Sequence, residues 1–561
     1  MTILPFLAIT FGAATASLLT RRTARVSMAI GVLGLALAAL SASAIAPGSV
    51  ASVGGGELRA SEYIRLFALL GAVAGLILAL LGLATTSHRH APGVLLGGIG
   101  AAVLALALPD AQAAVIAATA GGVIGFLVTV GPPATARGVL VGVRELRALA
   151  VAGSLAILAA AWIGRPLDQL LAEPAVFGLA YLGFAVGVAI RFGAIPFHFW
   201  AARLADAAPE ISLPMLMAWG PAAFGIVALT WVDQSVAPLA LPLTAERALV
   251  VAVGGVSVIL GSLAAWIQDD LEHVVGYTII ADAGVAILGL AVLDATAWEP
   301  ARTWILVFVM TRSAFAAWAV AVRGAFGTRR IAELSGWILR APLLALGLAV
   351  IVIASIGWPG FVAWEARAAL IDKTVGWPIA ILVTAGALGP LAAYGRLVLV
   401  GLRPPSEAVR GGGSERPRWP GPVPSRPMVG RSRTERAFER SGHFAGGLLD
   451  VLWALPDALR ANRTLIAAAL VVALSGLSFS VAAGGLGVPE AARAAPGQQQ
   501  GPTGSEPPGE ASPGPSESEA PVESEPVASE PPVASEAPAS EPPASEPPAS
   551  EPSFQPLPTS S

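Results

Sequence analysis

The sequence predicts an all-α polytopic membrane protein of about 14 transmembrane helices. Three observations predict it. First, 55% of the 561 residues are hydrophobic and 13% charged, with a mean hydropathy of +0.71. A soluble globular chain is nearer 45–50% apolar and about 25% charged. Second, the apolar residues fall into long runs, and a hydrocarbon core of ~30 Å needs roughly 20 of them per helix. Third, arginines gather in alternate loops, the asymmetry that orients membrane proteins.

The spans are predicted near 3–20, 27–46, 64–84, 91–108, 111–130, 147–164, 174–197, 211–232, 247–267, 273–293, 302–322, 341–371, 376–402 and 464–483. Residues 1–90 make an N-terminal three-helix segment, and residues 91–402 the core. Loops after odd-numbered spans carry Arg21, Arg22 and Arg25, then Arg89, then Arg137, Arg144 and Arg147, then Arg323, Arg329, Arg330 and Arg340. The positive-inside rule puts these loops in the cytoplasm and both termini outside. Arg21 and Arg22 follow the first span and no basic segment precedes it, so it is not read as a cleaved signal.

Residues 403–462 read as a cytoplasmic basic linker whose later part, 433–463, is an amphipathic helix lying on the membrane. Residues 463–484 hold the last span. Residues 485–561 are Pro-, Ser- and Glu-rich with ASEPP-like repeats, a composition that builds no packed core and predicts a disordered tail. Eleven Glu and no Lys or Arg follow residue 500, so the rest of the chain is basic by roughly eight charges despite the overall −3, as suits a protein held against anionic lipid. With no cysteine, the chain has no disulfide, thiolate zinc site or cysteine-ligated iron–sulfur cluster. No nucleotide-binding or hydrolase fingerprint falls in a suitable strand–helix context. Neither a cofactor nor a nucleic-acid partner is expected.

Two spans are interrupted. The seventh ends in Arg191-Phe-Gly-Ala-Ile-Pro196-Phe-His198, and the twelfth runs through Gly357-Trp-Pro359-Gly360. Matched breaks in two halves mark inverted-repeat transporters, whose freed backbone lines a polar cavity. A locally tolerated kink is the other reading. Ionisable residues inside spans are the second clue, since a charge at mid-membrane costs at least ~2.5–3.5 kcal/mol and must find a cavity or partner. They are Arg191 and His198, seven apart on one predicted helix face; Asp282 in the tenth span; Arg312 in the eleventh; and Glu365 with Arg367 past the second break. Asp282 and Arg312 suit an interhelical pair, either functional or structural. Asp269, Asp270, Glu272 and His273 are expected to be solvated in a turn.

Three segments carry a resemblance. RFGAIPFHFWAARLADAAPEIS (191–212) resembles the K-x-x-x-V-P-F-H-x-W-x-P-D-x-x-x-x-A-P segment of the N, M and L subunits of NADH–quinone oxidoreductase, respiratory complex I. DLEHVVGYTIIADAGVAILGL (270–290) and LSGWILRAPLLALGLAVIVIASIGWPGFVAWEARAAL (334–370) resemble their D-x-K-R-x-x-A-Y-S-S-I-x-H-x-G and S-x-x-G-x-P-x-x-x-G-F-x-x-K segments in the same order and spacing. The likeness covers roughly 90–400 and is strongest to subunit N; Mrp-type cation/proton antiporters share the fold. It implies two inverted five-helix repeats, spans 4–8 and 9–13, around a chain of charged residues that passes protons. It also implies other membrane subunits as partners, in a complex-I-like or Mrp-like assembly in a bacterial plasma membrane, with lipid around them and protons or small cations as cargo.

The family's chain has a Glu in the fifth span, lysines in the seventh, eighth and twelfth, and a His in the tenth. Here Thr119 falls near the Glu, Arg191 takes the first Lys position, and Gly220 or a neighbour the second. Asp282 takes the His position, and Trp364, beside Glu365, the last Lys. The chain's single lysine is Lys373. Lysine loses its proton when burial lowers its pKa, whereas arginine, at a pKa above about 12, keeps it. Three functions are open: a subunit coupled to proton movement with its lysine relay largely lost, a non-pumping structural subunit, or a Mrp-like antiporter using Asp282 and Glu365.

Overall fold

The computed structural model describes residues 1–85, 91–129, 136–163, 173–208, 210–237, 241, 243–293, 298–404 and 463–493. The chain opens with α1 (Leu4–Leu19) and α2 (Ala24–Ser43), then a β-hairpin, β1 (Val50–Val53) and β2 (Gly56–Arg59), then α3 (Glu62–Thr85). The hairpin is a short insertion in an otherwise helical chain. Val53 pairs with Gly56 across Gly54-Gly55, whose φ values of +58° and +84° suit a two-residue hairpin turn.

Next come α4 (Ala91–Ala107), α5 (Ala111–Thr129), α6 (Ala136–Ile163), α7 (Pro174–Arg191) and the short α8 (Ala201–Leu204). The helix Met215–Val236, α9, has a π-helical turn at each end, Met215–Trp219 and Val232–Val236. α10 (Thr244–Ile267), α11 (Leu271–Ala291) and α12 (Trp298–Phe326) follow, then the short α13 (Trp337–Arg340). The last elements are α14 (Pro342–Ile356), α15 (Val362–Thr374), α16 (Ile379–Leu388), α17 (Pro390–Leu402), α18 (Arg463–Ala482) and α19 (Val488–Arg493).

Among the described residues, ten helices are long and apolar enough to cross a membrane, α16 and α17 together making one of them, and four apolar helices are shorter. Only such internally hydrogen-bonded segments satisfy the backbone in hydrocarbon. The most enclosed are α9, α11 and α12, and small residues let α11 approach its neighbour. A Cβ built on Gly284 of α11 would lie 2.6 Å from the Gly254 carbonyl of α10. Such close approach is how helices associate without a hydrophobic driving force.

Both predicted breaks are present. α7 stops at Arg191, six residues before the predicted end, and Gly193 turns the chain at φ +63°, where a side chain would be strained. The loose groups find partners: Trp200 Nε1 donates to the Ile190 carbonyl at 2.9 Å, and the Ile195 N–H donates to Ser257 Oγ at 2.9 Å. The Ile195–Pro196 bond is cis. In the second break α14 ends at Ile356, Gly357 takes φ +69° and Gly360 +94°, and α15 begins at Val362. Pro359 and Gly360 stand in this second turn, so the single span predicted at 341–371 is two helices.

The chain is also ordered beyond the predicted start of the tail. α19 packs on α3 and α12, and Arg493 Nε meets Glu299 Oε1 at 2.8 Å. The amphipathic helix expected at 433–463 and the rest of the tail, 494–561, lie outside the described residues, Arg463 excepted.

Candidate functional site

Among the described residues, buried charge gathers around Arg312 and around Arg191. In the first, Arg312 of α12 is wholly enclosed, and each of its three nitrogens has a partner. Nε donates to Asp282 Oδ2 of α11 at 2.6 Å, one terminal nitrogen to the Tyr394 hydroxyl of α17 at 2.5 Å, and the other to Ser355 Oγ of α14 at 2.7 Å. Trp304 Nε1 holds the Asp282 backbone carbonyl at 3.0 Å. The pairing anticipated for Asp282 and Arg312 is therefore present, with four helices converging on it. A buried ion pair persists only when its remaining valences are filled in this way.

Arg367 of α15 adds a second cation to the same group. It is 4% exposed, lies within electrostatic reach of Asp282 and Arg312, and faces the rings of Trp304 and Trp364 at 5.7 and 5.3 Å. Its guanidinium donates to the Ile356 carbonyl, which the helix break leaves without an intrahelical partner. A cation at a helix C-terminus also meets the negative end of the helix dipole.

The second group is built on Arg191, 4% exposed at the C-terminus of α7. Its Nε has no hydrogen-bond partner. It borders a cavity of about 10 Å³ lined by Gly98, Gly121, Gly125, Met215 and Gly220, room for about one water. Cβ atoms built on Gly122 and Gly220 would each lie 3.0 Å from the Arg191 guanidinium. Gly220 or a neighbour stands where the resemblance places a lysine, and the Arg191 guanidinium lies against Gly220. Glu145 of α6, 1% exposed, lies within electrostatic reach of Arg191.

Between the two groups Trp219, next to Gly220, donates to Ser313 Oγ, next to Arg312, at 3.0 Å. Its ring packs edge-on against Phe67 at 4.9 Å. The indole of Trp219 thus links the two groups, with the Phe67 ring against it.

Two expected members are elsewhere. His198 shares no helix face with Arg191, because α7 ends first; it is half-buried in the break, stacked on Phe199 at 4.7 Å, with its Nδ1 unpartnered. Glu365 is exposed: it and Arg367 are two residues apart, about 200° around the helix, so when Arg367 points in Glu365 points out. Pro196 is exposed, and so are Pro359 and Gly360.

The solvated-turn expectation fails at Glu272, which is 2% exposed and held by Arg323 at 3.3 Å and Arg329 at 3.0 Å. His273 lies between Asp206 at 3.6 Å and Asp270 at 3.9 Å. Asp269 is exposed and pairs with Arg396, which also donates to the Gln268 carbonyl at 2.6 Å. Near the other end of α12, Arg302, 2% exposed, reaches Asp233 at 3.4 Å. Reasoning from the sequence missed Glu145 because α6 begins earlier than its apolar run, and Arg302 because it opens the predicted eleventh span and reads as a residue at the span's edge. Among the described residues no group of three or more His, Asp or Glu is placed to hold a metal.

A multi-pass helical bundle with two broken helices and buried charges at its centre is the arrangement that the three resembling segments imply. Residues 150–391 match the family described as NADH:quinone oxidoreductase/Mrp antiporter, TM, and the chain is similar to subunit N of NADH-quinone oxidoreductase. That subunit from Heliobacterium modesticaldum is 27% identical over 220 residues, 38% of this chain and 45% of the relative. The one from Paraburkholderia phymatum is 25% identical over 256 residues, 43% and 50% of the two chains. The chain spans about half the length of the curated relatives it matches.

In fold it is similar to a chain of respiratory complex I from Thermus thermophilus, with TM-score 0.61 and 20% identity over 87% of this chain and 100% of that one. It is also similar to a chain of the Mrp complex from Dietzia sp. DQ12-45-1b, with TM-score 0.65 and 17% identity over 90% and 97%.

Proposed function

We propose that this chain is a membrane subunit of a complex-I-like quinone oxidoreductase, coupled to proton movement, in which fixed guanidinium charges replace the lysine relay. The observation that carries the reading is the Asp282–Arg312 pair, held at 2.6 Å in the middle of α11 and α12 on the fold of the antiporter-like subunits. Arg191, Arg312 and Arg367 supply permanent positive charge, since guanidinium keeps its proton. Asp282 is the carboxylate among them and the group that can bind and release a proton. Redox cofactors belong to partner subunits, as do the electron donor and quinone sites. The arginine-rich loops face the cytoplasm of a bacterial cell, which puts both termini outside.

A second reading, a structural subunit that fills an antiporter-like position without moving protons, is favoured by one observation. Every nitrogen of Arg312 is already bonded, and the cavity at Arg191 has room for about one water. Protons crossing such a core need side chains or waters to rearrange.

Assembly separates both readings from a lone antiporter. Extracted gently from its native membrane, the chain is expected to migrate in a complex with quinone-oxidoreductase subunits. Recovery as a lone protein that exchanges cations for protons in liposomes would overturn the subunit reading.

A further inference from the structure

The outer face of the second break is charged and unwound where a lipid-facing surface is neither. Trp358 is 68% exposed, and Pro359, Gly360, Glu365 and Ala368 are exposed on the described chain. Their depth follows from their neighbours. Ser355, three residues before Trp358, bonds Arg312, the fifteenth of the 29 residues of α12. Arg367 reaches the Asp282 group, and Leu370 lies against Gly289, seven residues beyond Asp282 on α11. Glu365 therefore stands between the middle of α11 and its end, within the length of that candidate span. Two independent rules are broken if lipid covers this face. Irregular backbone at membrane depth occurs only where protein or a water-filled cavity covers it, and a carboxylate at this depth needs a partner.

We propose that the face formed by Trp358, Pro359, Gly360, Glu365 and Ala368 is the docking surface for a different membrane-spanning subunit, one of whose helices presents a Lys or Arg to Glu365. A second copy of this chain does not fit. Among the described residues the mid-depth cations Arg191, Arg312 and Arg367 are each at most 4% exposed and are turned inward. Trp358 supplies the large amphipathic ring typical of interface anchors, and Gly360, with no side chain, lets a partner helix approach the backbone. The inference deepens the subunit reading above by naming the face and the chemistry of the neighbour.

The test uses the full chain in its native membrane, with a photo-activated cross-linking residue at Trp358 or, separately, at Ala368. Both sites are expected to give an adduct with one other membrane protein, the cross-linked peptide lying in a transmembrane segment that carries a Lys or Arg. Glu365→Lys is expected to lower recovery of that partner about tenfold while leaving the thermal melting of the purified chain unchanged, because Glu365 is exposed. Exchanging the partner's cation for Glu is expected to restore the complex with Glu365→Lys. Adducts with lipid alone, or with a second copy of this chain, in an otherwise intact complex would overturn the proposal. So would full recovery of the partner with Glu365→Lys. A complex that forms through this face yet moves no protons would contradict the coupling proposed above and leave the interface in place.

Discussion

Replacing Arg312 by Ala is expected to cost about 3–5 kcal/mol. The cost is that of leaving one member of a buried pair without its partner. Asp282 would lose its 2.6 Å contact, and Tyr394 and Ser355 would lose the donors at 2.5 and 2.7 Å. The neighbouring Arg367 does not rescue it, because its guanidinium is committed to the Ile356 carbonyl and faces the rings of Trp304 and Trp364. Thermal melting followed by size exclusion in detergent reads the loss. The double change Asp282→Leu with Arg312→Met is expected to recover much of it, since apolar residues of similar volume often replace a buried pair at little cost. If Arg312→Ala alone melts like the parent, the pair holds nothing together.

The second large effect is expected from restoring the missing lysine. Gly220→Lys places an ammonium against the Arg191 guanidinium, which already lies 3.0 Å from the site of a Cβ at 220 and borders a cavity of about 10 Å³. Two like charges ~4 Å apart repel by about 4 kcal/mol at an effective dielectric near 20. Overpacking adds about 1–3 kcal/mol. The single variant is expected to yield little folded protein. Gly220→Lys with Arg191→Ala removes both conflicts, returns a titratable ammonium to the same space and is expected to recover most of the yield. Equal yields from the single and double variants would show that Arg191 does not occupy the lysine's place.

How much of this was legible in the sequence depends on what lipid does to the signal. Runs of about 20 apolar residues show a span wherever it lies, so all fourteen predicted spans fall on helices. Helix starts are another matter. Polar first turns read as loop, and so α6 begins at Ala136 rather than 147 and takes in Glu145, which precedes the predicted span. The hairpin at 50–59 carries one local signal, Gly54-Gly55 between short strands, and it is faint beside the long runs.

Facing was the harder problem. In water, polar residues reveal the outer side of a helix; in a bilayer the outer side is as apolar as the core, and the periodicity vanishes. Asp282 and Arg312 were found because charges at mid-span must meet. Glu365 was misplaced and Arg367 undervalued because nothing local says which of two charges, two residues apart, turns inward. The break itself was readable from Pro359 and Gly360, but which side of it is covered is a property of the folded bundle and its neighbours.

The central claim is that Asp282, set among guanidiniums that keep their protons, is the proton-bearing group at the middle of the bundle. It is tested most directly by proton translocation in the reconstituted complex, normalised to assembled complexes, for Asp282→Asn beside Asp282→Glu. Asn still accepts a hydrogen bond from Arg312 but binds no proton, and its flux is expected to fall on the order of 100-fold while Glu retains most of the activity. Proton flux undiminished in the Asn complex would contradict the claim and leave the chain a structural member of its assembly.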